Sequence, residues 1–425
     1  MLIALLLLIL LTGLDHRFFG GESGLVSFSL AELLAYVLLV VLFLDFCARG
    51  ATYRSQVVSV LRSSNGFVWL YLAWAFVSAG ANLIMAGNRD ALHSLKDTIP
   101  GVILFVGLLV LVVDRHRLAH AHWAVGTMLG LVSLLAICQQ VFGGPYPTTV
   151  DPNAYLKVTL TGASLVARPV VGTFGHPNGL AELLAPLLVL SVGYLVNDKS
   201  VVHTIQRPAW IGAIGLAWVA LFLTQGKAAL AWALLGVALS LWFAWYRTPF
   251  SPRRGLMLVA VLMLGALGGV AVLFIAANKL PEALRPGTLA TRLVINYSAL
   301  QEALDSHTVM AFGGGLKQFG ESAAGSTLKL GVHGEYLSQL LRFGLPATLL
   351  FFALLLRAIR AQGRSGWVYA APLIVLTLIY VLESGAGSQL QTLPFLLCGF
   401  ADANRVVTAR EDATAGAWST SGIEP

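Results

Sequence analysis

Residues 331–356 read GVHGEYLSQLLRFGLPATLLFFALLL, and two patterns overlap in them. From Leu345 onward the run is apolar enough to lie in lipid. Before it, Glu335, Gln339 and Arg342 fall at i, i+4 and i+7, which a helix places on one stripe. A hydrocarbon core about 30 Å thick takes roughly 20 residues of apolar helix, so the stretch predicts a membrane-crossing helix with a polar line on its first half. An ionisable group at that depth is costly and faces a cavity or a partner. For Arg342 the expected partner is Glu335 or Glu383. His333 stands where the preceding loop becomes this helix, and a histidine's ordinary pKa of about 6.5 suits a general base at neutral pH. The alternative for His333 is a plain polar residue at the membrane interface.

The rest of the chain repeats the apolar part of this pattern. Of 425 residues, 57% are hydrophobic and only 11% charged, with a mean hydropathy of +0.79, more apolar surface than a water-soluble globule can cover. Apolar runs lie near 1–14, 25–46, 66–86, 99–113, 123–142, 177–196, 209–223, 228–246, 255–277, 335–356, 367–383 and 390–402. The fold class is therefore all-α, a polytopic membrane protein with about twelve transmembrane helices in one integral domain over 1–410. MLIALLLLILLTGL at the start lacks the basic n-region and small-residue cleavage site of a signal peptide and reads as a retained first span. Residues 411–425 are small and polar and read as a disordered tail. Cys47, Cys138 and Cys398 all fall inside apolar runs without CxxC spacing and read as core residues.

With both termini in the cytoplasm, most Lys and Arg of the short loops fall on the cytoplasmic side, as the positive-inside rule requires. The net charge of +7 is then explained by loops facing anionic lipid, and no nucleic-acid partner is expected. Two long outer loops remain, residues 143–176 and 278–334. Loops of this length with ordinary composition commonly carry function. Within the second, GTLATRLVINYSALQEALD (287–305) places Leu289, Leu293, Leu300 and Leu304 near helical spacing and pairs Arg292 with Asn296 at i, i+4. This predicts an amphipathic helix on the outer leaflet. FGGG (312–315) then reads as a flexible turn leading towards His333.

The outer side also collects cations that topology does not require: Arg168, Arg292, and Lys227 in the turn TQGK. A planar guanidinium binds phosphate or diphosphate in bidentate fashion, although an arginine can equally snorkel to lipid headgroups. In GTFGHPNGLAE (172–182), Pro177 suits a first helical turn, so His176 and Asn178 flank a helix start whose amides can meet an anion. The phosphate loop GxxxxGK[ST], the GxSxG elbow, HExxH and DxD are all missing from the sequence. His116, His120 and His122 have ligand-like spacing but sit in a cytoplasmic turn among charged residues, so no metal and no cofactor is expected.

Five stretches together, in order, resemble the O-antigen ligase and polysaccharide polymerase superfamily of bacterial envelopes. They are GLVSFSLAELLAY, RPVVGTFGHPNGLAELLAPLL, TQGKAALAWALLGV, TRLVINYSALQEALDSHTVMAFGGGLKQF and VHGEYLSQLLRFGLPATLLF, and they span nearly the whole chain. The resemblance implies a helical inner-membrane enzyme with a large periplasmic loop. Such an enzyme moves a glycan from undecaprenyl diphosphate to a sugar hydroxyl, on lipid A-core for a ligase or on a growing glycan for a polymerase. It implies that His333 activates the acceptor and that Arg168 and Arg292 hold the donor diphosphate. His176 and Asn178 lie in the same matched stretch, and Lys227 stands where an arginine is more usual. Glu335, Gln339 and Arg342 support the site, with Arg342 at a place where an acid is common. A lipid diphosphate is already a good leaving group, so a base and cations suffice, and direct attack inverts the anomeric centre. The expected activity is thus a metal-independent inverting glycosyltransferase facing the periplasm, with membrane lipids around it. A reading from another class is a polysaccharide transporter or flippase with Arg342 on the path.

Overall fold

The computed structural model describes residues 1–13, 17–19, 28–87, 90–143, 170, 177–197, 207–224, 226–246, 253, 257, 260, 296–297, 299–301, 303–314, 334–362, 367–382 and 391–420. Its elements in chain order are α1 (Leu2–Leu11), a two-stranded antiparallel ribbon of β1 (Arg17–Phe19) and β2 (Phe28–Ser29), α2 (Leu30–Ala48), α3 (Ala51–Ser63), α4 (Gly66–Ala86) and α5 (Asp90–Leu111). There follow α6 (Arg115–Phe142), α7 (Pro177–Asn197), α8 (Arg207–Leu223), α9 (Lys227–Tyr246), α10 (His307–Phe312), α11 (Glu335–Arg360), α12 (Trp367–Leu382) and α13 (Thr392–Thr420). Among the described residues, seven helices are long and apolar enough to cross a membrane: α2, α4, α5, α6, α7, α9 and α11. Three shorter apolar helices accompany them. The chain is a helical, multi-pass membrane protein. The run 255–277, expected as a further span, lies largely outside the described residues.

Capping chemistry sets several boundaries. Ser29 opens α2 with a capping box: its hydroxyl accepts the Glu32 amide at 3.1 Å, and the Glu32 carboxylate accepts the Ser29 amide at 2.7 Å. The span expected from residue 25 therefore begins at Leu30, after β2. Asn65 and Asp114 cap α4 and α6 by accepting the amides of Phe67 and Arg117. Three departures from the hydropathy reading concern polar turns that extend or add helix. Asp90 to Thr98 is a polar extension of α5, α3 is an amphipathic helix in what reads as a loop, and α13 runs on to Thr420 through the stretch expected to be disordered. On α13, Glu411 is held by Arg115 at 3.0 Å.

Packing follows the polarity of each helix. Nearly every side chain of α7 is buried, and α7 lies between α9 and α12 at the centre. α2, α4 and α9 turn large apolar residues such as Phe43, Phe76 and Trp245 outward, as helices facing lipid do. Cys47 shares that outward exposure, contrary to its reading as a core residue, whereas Cys398 is buried.

Contacts between helix termini group the described helix ends into two sets, one at each end of the bundle. One collects α3, the start of α6, the end of α11 and residues 402–412 of α13. There the Asn65 amide donates to the Asp402 carboxylate at 2.7 Å and its side-chain amide to the Leu354 carbonyl at 2.8 Å. The other end collects the starts of α7, α9, α11 and α13 together with α10, and the Thr98 hydroxyl donates there to Gln391 at 3.3 Å.

Candidate functional site

α11 is broken. Gly344 has φ 86° and ψ 175°, and Pro346 follows two residues later. Proline has no N–H, so the Arg342 carbonyl loses its intrahelical donor, and the turn at Gly344 interrupts its neighbours. In a membrane interior such carbonyls must find partners within the protein. Two of them do: the Leu341 carbonyl accepts the Gly314 amide at 2.8 Å, and the Phe343 carbonyl accepts the Trp74 indole N–H at 3.0 Å.

The chain that fills the break is α10 and the two glycines after it. The Phe312 carbonyl accepts both the Ser78 hydroxyl and the Asn82 side-chain amide, the latter at 2.9 Å. Trp74 stacks on Phe312 with ring centroids 5.8 Å apart. Gly313 and Gly314, expected to form a flexible turn, are instead docked and buried. Next to them, the described residues between 296 and 305 are helical, as the amphipathic pattern predicts. Ala299 and Ala303 bury against Leu340 and Leu341 of α11, while Leu300 and Leu304 face outward. Arg292, four residues before Asn296, lies outside the described residues.

The polar stripe of α11 is buried and internally satisfied along most of its length. The Gln339 side-chain amide donates to Glu335 Oε1 at 2.7 Å, and the Tyr71 hydroxyl donates to Gln339 Oε1 at 2.7 Å. One guanidinium nitrogen of Arg342 lies 3.5 Å from Glu335 Oε1, so Glu335 is an ion-pair partner of Arg342. Glu383, the other expected partner, lies outside the described residues. Arg342 Nε has no acceptor among the described residues although the side chain is 3% exposed.

A second group of residues meets at the same end. The Val170 amide, two residues after Arg168, donates to the Leu223 carbonyl at 3.3 Å. The turn after Leu223 folds on itself through the Thr224 hydroxyl, which donates to the Leu221 carbonyl at 2.7 Å and accepts the Gly226 amide at 3.2 Å. Gly226 presses on Ala181 of α7 so closely that a Cβ there would lie 2.7 Å from the Ala181 methyl. This packing sets Lys227, exposed at the start of α9, beside the first turns of α7 that carry Asn178. The two groups are joined by α12, which packs against both α7 and α11, and Gly334 backs onto the Val381 carbonyl.

Of the residues singled out from sequence, the structure thus brings Glu335, Gln339 and Arg342 into one network and sets Lys227 beside the helix start that carries Asn178. His333, Arg168 and His176 lie outside the described residues, each within two residues of a described neighbour at this end. The sequence reading did not pick out Tyr71, Trp74, Ser78, Asn82 and Glu182. The first four fall at spacings of 3, 4 and 4, the same one-stripe signal that marks α11. His122 points away from His116 and His120: it is buried between Tyr194 and Phe400 and hydrogen-bonded to the Tyr369 hydroxyl at 3.0 Å. The three histidines have no common centre. No protein-family model matches the chain, and no curated protein matches it.

Proposed function

We propose that the chain is an O-antigen ligase-like glycosyltransferase of the bacterial inner membrane. In this reading it moves a glycan from undecaprenyl diphosphate to a sugar hydroxyl of lipid A-core at the periplasmic face. The observation that carries the proposal is convergence. The described neighbours of His333, Arg168 and Arg292, and Lys227 itself, all belong to segments at one end of the bundle, around the broken half of α11. About twelve spans complete the topology, counting the shorter apolar helices, the first half of α13 and the run 255–277. Both long loops are then on the periplasmic side.

The chemistry asked of these residues is modest. His333 takes the proton from the acceptor hydroxyl as its oxygen attacks the anomeric carbon, and the bond from that carbon to the diphosphate breaks with inversion. Arg168, Arg292 and Lys227 meet the charge that develops on the departing diphosphate. Neither a metal nor a nucleotide is needed for the electron count. A polymerase that extends the glycan on its lipid carrier uses the same donor chemistry.

The broken helix is a feature that transporters use for substrate and ion binding. Here, however, the Leu341 and Phe343 carbonyls are taken by Gly314 and Trp74. The geometry therefore favours a braced site over an open path.

Purified protein given lipid-linked donor and acceptor tests the proposal directly. Transfer is expected, and His333→Ala is expected to lower it by about 10²–10⁴-fold; full activity in that variant refutes the base. In a deletion strain, long chains stranded on the lipid carrier identify a ligase and single repeat units a polymerase. Accumulation of neither refutes both.

A further inference from the structure

The end of the bundle opposite the candidate site carries a histidine pair that the transfer chemistry does not use. His116 and His120 stand one turn apart at the start of α6, so both side chains rise from one face of the helix. Their rings meet edge to face with centroids 4.3 Å apart. His120 Nδ1 lies 2.8 Å from the His116 carbonyl. A carbonyl only accepts, so Nδ1 carries the ring hydrogen and the lone pair is left on Nε2. A backbone carbonyl that fixes the tautomer in this way is the usual outer support of a metal-binding imidazole. His116 is exposed and His120 half-buried, so an ion in solution can reach them. The charged neighbours that argue against a metal in the sequence are turned away from the rings. Arg115 spreads its guanidinium over Glu411, Asn404 and Thr408 of α13, each at 3.0 Å. Arg117 meets the Leu111 carbonyl at 3.2 Å and Asp114 at 3.5 Å. Each of these two arginines therefore has an acid as a partner.

We propose that His116 and His120 together bind one divalent transition-metal ion of the zinc, nickel and copper class, with water completing its coordination. The donor set selects the occupant. Imidazole nitrogen suits these ions, whereas magnesium and calcium take oxygen ligands. Two imidazoles bound to one ion at about 2.1 Å hold their ring centroids about 5 Å apart, so a small turn of the exposed His116 ring closes the bite. His122 takes no part, because it is stacked between Tyr194 and Phe400 in the interior. The ion bridges adjacent turns at the start of α6, where Arg115 also holds α13. It binds the helix in preference to the unfolded chain, in which the two rings are not held together, and so stabilises the fold.

The test uses the full-length protein in detergent, without a polyhistidine tag, stripped with a chelator and titrated calorimetrically with zinc or magnesium ions. One zinc ion per chain is expected to bind, and magnesium is expected not to. His116→Gln and His120→Gln are each expected to weaken zinc binding by about tenfold or more, since loss of even an outer support costs that much. His93→Gln, at an exposed position on α5, serves as the comparison and is expected to leave binding unchanged. Zinc should raise the thermal midpoint of the wild type and of His93→Gln but not of the other two variants. Midpoints measured in chelator check that all three variants keep the fold. Absence of saturable zinc binding overturns the proposal, as does equal binding of magnesium. Undiminished binding in both His116→Gln and His120→Gln places the ion elsewhere and refutes the site. An equal loss in His93→Gln shows only unspecific attraction to histidines and refutes it as well.

Discussion

Gly313 and Gly344 meet backbone to backbone. A Cβ on Gly313 would lie 2.4 Å from the Arg342 carbonyl group, and one on Gly344 would lie 2.1 Å from the Ala311 carbonyl oxygen. Both residues also hold positive φ, 69° and 86°. The short helix α10 can enter the break in α11 because neither residue has a side chain.

Gly344→Ala is therefore expected to force α10 out of the break. Left-handed strain and overlap each cost about 1–3 kcal/mol, so a clear drop in thermal midpoint in detergent follows. Gly215 of α8 has nothing within 4 Å of its missing Cβ and serves as the comparison. Gly215→Ala is expected to leave the midpoint unchanged or slightly raised. Equal behaviour of the two variants would remove the steric account.

Trp74→Phe tests the other side of the same joint. It keeps an aromatic ring for Phe312 but removes the indole donor from the Phe343 carbonyl. A carbonyl left unpaired in an apolar interior costs about 1–3 kcal/mol, somewhat less where the unfolded chain also finds partners in the membrane. A smaller loss is expected for Asn82→Leu, which removes one of the two donors to the Phe312 carbonyl and leaves it the Ser78 hydroxyl. Unfolding midpoints that match the wild type in both would show the break to be satisfied in another way.

Hydropathy located most helices of this chain because lipid demands long apolar runs, and it failed where that demand is absent. α3 contains four apolar residues at amphipathic spacing, Tyr53, Val57, Val60 and Leu61, in a segment too polar to cross a membrane. α5 begins nine residues before its apolar run because Asp90, His93, Lys96 and Asp97 lie beyond it; Lys96 reaches Glu32 at 3.5 Å. The stripe Glu335, Gln339 and Arg342 was legible because polar residues stand out against Leu and Phe. Its complement on α4 was harder to read, since Tyr71 and Trp74 pass for ordinary apolar residues until their polar atoms are seen to donate. The docking of Gly313 and Gly314 into α11 depends on a contact across some thirty residues of chain, and local periodicity carries no trace of it.

The ion pair within the stripe predicts an asymmetry. Glu335→Gln leaves Arg342 buried without its partner, and a guanidinium keeps its proton at any accessible pH. Arg342→Met leaves Glu335, which still accepts from Gln339 at 2.7 Å and can take up a proton to become neutral. Breaking a buried pair by removing one member costs about 3–5 kcal/mol. Glu335→Gln is expected to sit at the upper end of that range and Arg342→Met below it, and the double variant should lose less than the sum. Additive losses in a double-mutant cycle of unfolding midpoints would show that the 3.5 Å contact carries no coupling.

Lys227 separates donor binding from folding. Its side chain is exposed at the start of α9, and the turn that holds it is fixed by Thr224 and Gly226 rather than by the lysine itself. Lys227→Gln should thus leave the thermal midpoint where it is. If the ammonium meets a lipid-linked diphosphate, losing one charge-assisted contact costs about 1.5–3 kcal/mol, which is about tenfold or more in kcat/KM for the donor. Lys227→Arg restores the charge and is expected to recover most of that loss. The salt dependence of donor use should also flatten in Lys227→Gln, because one fewer cation attracts the anion. Unchanged donor kinetics in Lys227→Gln, with transfer otherwise active, would remove Lys227 from the donor site; a drop in midpoint alongside the kinetic loss would assign it to folding instead.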